Sequence, residues 1–257
     1  MTTVISFASQ KGGVGKTTSA INLSTAFAVG GYRVLMIDLD PQDSVSASFG
    51  IKTASSYGTR ELYCDPSTPL DELCTKTRHE NLDFIMSNIS LMADEYEVIQ
   101  VAADLFYLKQ WLQSEVEGKY DFVIIDCPPS MGSLTVNALV ASDLVIIPLQ
   151  CEALAMQSLK RFLRTFKELQ TKIDSHLRIA GILLTMYDRQ IEVHRVISQQ
   201  VYHYLQGSVF QTIIPRCGEI IESSAVGKSV INKSISSVGS TAYIRLANEI
   251  LDRFNIR

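Results

Sequence analysis

The chain has 257 residues, 46% of them hydrophobic and 19% charged, with 14 Gly and 7 Pro, which excludes disordered, collagen-like and small stapled classes. Its formal net charge of −4 is unevenly spread: residues 1–150 sum to −9 and residues 151–257 to +5, an asymmetry that marks polyanion-facing surfaces in some proteins. Five scattered cysteines without C-x-x-C spacing suggest neither a disulfide framework nor a zinc site, and MTTVISFASQ has no signal-peptide pattern, so a cytoplasmic chain is expected.

In chain order, Val4–Ser9 is an apolar run ending in a Gly-rich turn, and Thr17–Val29 then has helical spacing that stops at Gly30-Gly31. Arg33–Asp38 predicts a second buried strand, residues 51–80 an irregular excursion or short helices, and Phe122–Asp126 and Leu144–Pro148 two more strands around a helix over Gly132–Ala141. Helices are predicted over Ala155–Leu169 and Gln190–Leu205, with a strand at Ile179–Met186 between them. Thr241–Phe254 closes the series, with Tyr243, Leu246, Ala247, Ile250, Leu251 and Phe254 on one face. Strands apolar on both sides, alternating with helices, predict an α/β fold with a doubly wound, mostly parallel sheet flanked by helices, read as one domain over 1–257.

Between the first strand and first helix lies Ser9-Gln10-Lys11-Gly12-Gly13-Val14-Gly15-Lys16-Thr17-Thr18, where a phosphate-binding loop must sit. Backbone N–H groups and the helix N-terminus would cradle phosphates, Lys16 would reach the β- and γ-phosphates, and the Thr17 hydroxyl would ligate Mg²⁺. The pattern G-x-x-x-x-G-K-[ST] is nevertheless broken, because Gln10 stands five positions before Gly15; an extra Lys11 and a glycine pair follow instead. Asp126, ending a buried strand, is placed to hold Mg²⁺ through water, or alternatively to cap the next turn.

KGGVGKTT resembles the deviant Walker A motif of the ParA/MinD superfamily of P-loop ATPases. Asp38-Leu39-Asp40-Pro41-Gln42 resembles that family's switch I, and Asp126-Cys127-Pro128-Pro129-Ser130 its Walker B and switch II. Gly181–Asp188 and Ile213–Arg216 resemble the stretches that form the adenine pocket in ParA-type (Soj-like) members. The resemblance runs from residue 4 to about residue 250 and implies ATP and Mg²⁺ as cofactors. It implies that Asp40 orients the attacking water, that Asp126, Asp40, Asp38 and Thr17 surround the metal, and that Lys11 acts from the second subunit of an ATP sandwich homodimer. Asp38 also reads as a solvated strand end. Pro215, Arg216 and Met186 are expected around the adenine, Met186 equally as a core filler.

The family divides by what its ATP dimer holds. The tail DRFNIR has no lysine and does not resemble the basic membrane helix of MinD-like members, so no membrane partner is expected. Neither an Fe–S cysteine pair nor a tyrosine-rich tail is present. What remains is ParA-type partitioning of a plasmid, a chromosome or a protein assembly: nonspecific DNA binding on the nucleoid, with hydrolysis stimulated by a ParB-like or other cargo adaptor.

Lys160, Arg161, Arg164 and Lys167 share one side of a helix, and Arg189, Arg195, Arg216, Lys228 and Lys233 add to the basic half. They are the expected phosphate contacts, though the 160–167 group also reads as an ordinary solvated face. Glu219 and Glu222-Ser223-Ser224-Ala225 depart from the basic residue and Glu-Ala-Pro-Ser of DNA-binding members, and Arg189 comes one place early, with Gln190 in its stead. With only Met1–Thr3 before the first strand, no helix-turn-helix domain is expected. A metabolic or metal-maturation ATPase and a membrane-positioning ATPase are the competing expectations.

Overall fold

Residues 2–42, 45, 57–173 and 177–256 are described by the computed structural model. Seven strands pair in the order β3-β4-β2-β5-β1-β6-β7. They are β1 (Thr3–Phe7), β2 (Val34–Asp38), β3 (Thr75–Lys76), β4 (Leu82–Ile85), β5 (Phe122–Asp126), β6 (Leu144–Gln150) and β7 (Arg178–Thr185). All neighbours are parallel except the short edge strand β3, antiparallel to β4. The predicted doubly wound sheet is therefore present, with strand ends within two residues of expectation.

The strands are apolar on both sides because helices cover both faces. Leu35, Ile37, Val123 and Ile125 enter one core; Val34, Met36, Phe122 and Ile124, their alternates on the same strands, enter the other. Helix α1 (Lys16–Val29) lies on the second face, buried along nearly its whole length. At its far end Phe27 stacks on Phe122 at 4.0 Å while Tyr32 meets Phe122 edge-on at 5.2 Å.

The excursion after β2 carries α2 (Thr59–Cys64) and α3 (Leu70–Leu73), as expected of short helices; residues 51–56 of that stretch lie outside the described residues. Three further elements have weak sequence signals. Strand β4 is broken in the pattern by Asp83, which is buried because Tyr120 Oη and Lys76 Nζ donate to its carboxylate at 2.7 and 2.8 Å. Helix α4 (Met92–Val101) fully buries only Val98, and α5 (Tyr107–Trp111) runs directly into a π-helical turn over Leu112–Val116.

Helices α6 (Ser133–Ala141), α7 (Ala155–Ile173) and α8 (Glu192–Tyr204) follow, then α9 (Gly218–Ala225), α10 (Val230–Lys233) and α11 (Val238–Phe254). α11 starts one turn before the predicted Thr241 because Ser237 Oγ accepts from Ser240 N at 3.1 Å, so a serine-rich stretch that reads as loop is a helix cap. Its end locks β7: Arg253 donates to Ala180 O at 3.0 Å and Val209 O at 3.1 Å and lies over the Phe210 ring at 4.7 Å.

Gly181 sits under that ring, where a Cβ would come 2.7 Å from Phe210 Cε2. Gly181→Ala is expected to cost about 1–3 kcal/mol, since a buried aromatic must be displaced. Urea unfolding measures it, and an unchanged midpoint refutes the close packing.

Candidate active site

Register places the chemistry. Phe7, the last residue of β1, and Asp38, the last of β2, both align with Asp126 of the intervening β5. The loop leaving β1 and two strand-end carboxylates thus converge at the carboxyl edge of the sheet, where open parallel sheets bind ligands. Leu39 N donates to Asp126 O at 3.0 Å and Cys127 N to Phe7 O at 3.2 Å, which holds the three strand exits together.

Within the loop Gly13 and Gly15 adopt positive φ, 73° and 83°, so both need glycine. Gly15 is the N-cap of α1, with no side-chain cap and no acidic residue in the first turn. The helix start therefore keeps free N–H donors and the positive end of its dipole, the arrangement that receives a phosphate. Val14 is buried and its carbonyl accepts from Thr185 Oγ1 at 2.8 Å, tying the loop to the end of β7. Gly12 and Gly13 are exposed, whereas Lys16 is 6% exposed. Thr17 and Thr18, half-buried, begin the helix.

Asp126 is fully buried, and neither carboxylate oxygen has a hydrogen-bond partner of good geometry. Burial pushes its pKa well above the usual carboxylate range; the Thr17 hydroxyl and Lys16 charge offset this only in part, and Asp40 adds to the rise. Cys127 beside it is raised too, chiefly by burial, and is an inert thiol. Asp38 is buried and Asp40 nearly so; Asp38 Oδ1 accepts from Asp40 N at 2.9 Å, and Asp40 Oδ1 from Gln42 N at 3.1 Å. These contacts turn the chain locally after β2, over Asp38–Gln42.

Orphaned buried carboxylate oxygens beside a threonine hydroxyl form a hard-oxygen donor set, which fits Mg²⁺. Among the described residues no three His, Cys, Asp or Glu side chains could hold a metal by themselves. An open shell completed by phosphate oxygens and water is the usual magnesium arrangement.

Lys11 makes an ion pair within its own chain, to Glu152 just past β6. Sequence reading missed this partner, which lies 141 residues away with no local signal. Met186 has a left-handed backbone, φ 49°, a conformation that side chains other than glycine seldom adopt. Its Cε lies 4.0 Å from where a Gly15 Cβ would be. The next residue, Tyr187, pairs with Pro215, its N–H donating to Ile214 O and its carbonyl accepting from Arg216 N, both at 3.0 Å. Met186, Pro215 and Arg216 thus adjoin one another at the carboxyl end of β7.

The basic residues are spread over several elements. Lys160, Arg161, Arg164 and Lys167 are exposed along α7, and Arg195 is exposed on α8. Arg189 and Arg216 line a separate cleft with Arg245 and Asn248 of α11. Arg245 and Asn248 carry no motif in the sequence and are not among the expected phosphate contacts. Lys228 is half-buried, and Lys233 is ion-paired to Glu222 rather than free.

A family model described as an AAA domain matches residues 2–179. The chromosome partitioning protein ParA of Caulobacter vibrioides is 38% identical over 251 residues, covering 97% of this chain and 94% of that protein. The sporulation initiation inhibitor protein Soj of Bacillus subtilis is 38% identical over 96% of this chain and 97% of its own. Among solved structures, cobyrinic acid a,c-diamide synthase of Mycobacterium smegmatis, with bound ADP and magnesium, matches with TM-score 0.84 and 32% identity over 99% of this chain and 96% of that one. Among the described residues no helix is long and apolar enough to cross a membrane.

Proposed function

The chain belongs to the ParA-like branch of the ParA/MinD superfamily of P-loop ATPases, and from that premise we propose an ATP-driven positioning switch whose homodimer binds nonspecific DNA and moves a cargo. The observation that carries this reading is the conjunction of an uncapped α1 start with the unpartnered, buried carboxylate of Asp126. Together they make a site built for a polyphosphate and a hard cation.

ATP enters as substrate. The N–H groups of Gly12–Thr18 cradle its phosphates, Lys16 neutralises the β- and γ-phosphates, and Met186, Pro215 and Arg216 frame the adenine. Thr17 would hold Mg²⁺ directly, with Asp126 and Asp38 behind it through water. When bound, the ion supplies positive charge to the phosphate oxygens. Asp40 orients the water whose attack yields ADP and phosphate, and lies close enough to Asp126 to act on its charge.

Lys11 supplies charge to the γ-phosphate of a second subunit, which requires it to leave Glu152. The γ-phosphate then favours the dimer and hydrolysis removes that bias, so a ParB-like or other cargo adaptor that speeds hydrolysis resets the switch. Arg189, Arg216 and Arg245, sharing one cleft, are the first DNA contacts, and the α7 row and Arg195 a second set. Lys228 adds to them, and Lys233 does so only on leaving Glu222. On this reading the protein works in the cytoplasm, on the nucleoid.

The test is anisotropy on random duplex DNA. Binding is expected with ATP and Mg²⁺, not with ADP, and to weaken steeply with salt. Retention that ignores nucleotide or salt defeats the DNA reading. Asp40→Ala is expected to accumulate the ATP dimer by light scattering while turnover falls about 10²-fold; unchanged turnover removes Asp40 from the mechanism.

A further inference from the structure

Strand β7 ends on a residue whose two branches both meet the phosphate loop. Thr185 is 2% exposed; its Oγ1 donates to Val14 O at 2.8 Å, and its Cβ and Cγ2 lie 3.8 and 3.9 Å from where a Cβ on Gly15 would stand. Among the described residues no other hydrogen bond from a different element reaches the backbone of residues 10–14. The hold on that stretch is concentrated in one hydroxyl, 171 residues away in sequence.

The peptide held in this way is one that an anion would meet. Val14 C=O and Gly15 N–H belong to one planar trans unit, so they point in opposite directions. With the carbonyl fixed toward Thr185, the Gly15 N–H is fixed away from β7, and no group among the described residues accepts from it. Gly15 is also the N-cap of α1, so this donor stands at the positive end of the helix dipole. Gly13 and Gly15, on either side of Val14, both have positive φ, and two such glycines would let the peptide between them turn over at little steric cost. The Thr185 hydroxyl removes that freedom.

We infer that Thr185 is a positioning residue for phosphate binding: its hydroxyl sets the Val14–Gly15 peptide so that the Gly15 N–H already faces the phosphates of ATP before the nucleotide arrives. The stretch Gly181–Asp188 then serves both ends of the ligand, Met186 beside the adenine and Thr185 behind the phosphate loop. The inference rests on the reading of Gly12–Thr18 as the phosphate cradle. A donor set in advance strengthens ground state and transition state alike, so its loss acts on KM rather than on kcat.

Thr185→Val keeps the size and the methyl contact and removes the donor, whereas Thr185→Ser keeps the donor. Two probes are used: Mg²⁺-ATP turnover, and inorganic tripolyphosphate competing against a fluorescent ADP analogue. Thr185→Val is expected to raise KM for ATP about tenfold, the effect of one lost hydrogen bond, with kcat within about threefold of wild type. Tripolyphosphate, which has no base to be held, is expected to weaken by the same factor. Thr185→Ser is expected to stay within about threefold of wild type for both ligands, and urea unfolding without ligand checks that each variant folds.

Equal KM for wild type and Thr185→Val overturns the inference. So does a loss in Thr185→Ser as large as that in Thr185→Val, which would make methyl packing the cause. Weakened ATP with unchanged tripolyphosphate also overturns it, by placing the effect at the adenine. Failure of the phosphate cradle itself reads differently: wild type then binds no tripolyphosphate, or Lys16→Met binds it as well as wild type does.

Discussion

Asp126→Asn is expected to stabilise the nucleotide-free protein by about 1–2 kcal/mol and to cut ATP turnover by about 10²–10³-fold. The gain follows from burial: the carboxylate is fully enclosed, both oxygens lack partners, and Asp40 adds repulsion. A neutral amide of the same shape removes most of that desolvation cost. The loss follows from the same atoms, since an amide holds the hydrated cation far less well than a carboxylate. Urea unfolding in a chelator reads the first effect and phosphate release in Mg²⁺-ATP the second. A variant that is less stable and equally active would show that Asp126 is a structural residue.

Lys16→Met should act on stability with the opposite sign. The residue is 6% exposed and its charge favours the charged form of Asp126, so removing it leaves a buried carboxylate with less compensation. A loss of about 1–3 kcal/mol is expected, with about 10³-fold lower turnover and about 10²-fold weaker nucleotide binding. Fluorescent nucleotide titration and urea unfolding measure these. The double variant Lys16→Met with Asp126→Asn should recover much of the lost stability and none of the activity, because the two side chains interact with each other as well as with ligand. Additive stability effects would refute that coupling.

Much of this site was legible before any coordinate, for physical reasons. A strand buried on both faces leaves an uninterrupted apolar run, so β1, β2, β5, β6 and β7 announce themselves, and the phosphate loop sits at a strand-to-helix junction whose glycines and lysine are chemically specific. Strand β4 hides because Asp83 interrupts it, and that aspartate is tolerated only through Tyr120 and Lys76, the first of which is distant in sequence. Helix α4 hides because its stripe of apolar residues faces solvent, so its spacing misstates which side is inside. The Lys11–Glu152 pair and the Arg189–Arg216–Arg245 cleft are juxtapositions that only the assembled fold creates. Global charge hides this arrangement: the basic half is spread over α7, α8 and the cleft lined by α11.

The strand order also bears on how the chain is made. β1 is made before either of its neighbours, Phe122–Asp126 and Leu144–Ile146, although it is a central strand. At about 5–20 residues per second, roughly seven to thirty seconds pass before both edges of β1 have partners to pair with. Throughout that interval the nascent chain presents an apolar strand and a glycine loop with nothing to close against, and low contact order cannot rescue it. The arrangement that gives the phosphate loop its rigid central seat therefore leaves β1 without strand partners until residues 122–146 have been made.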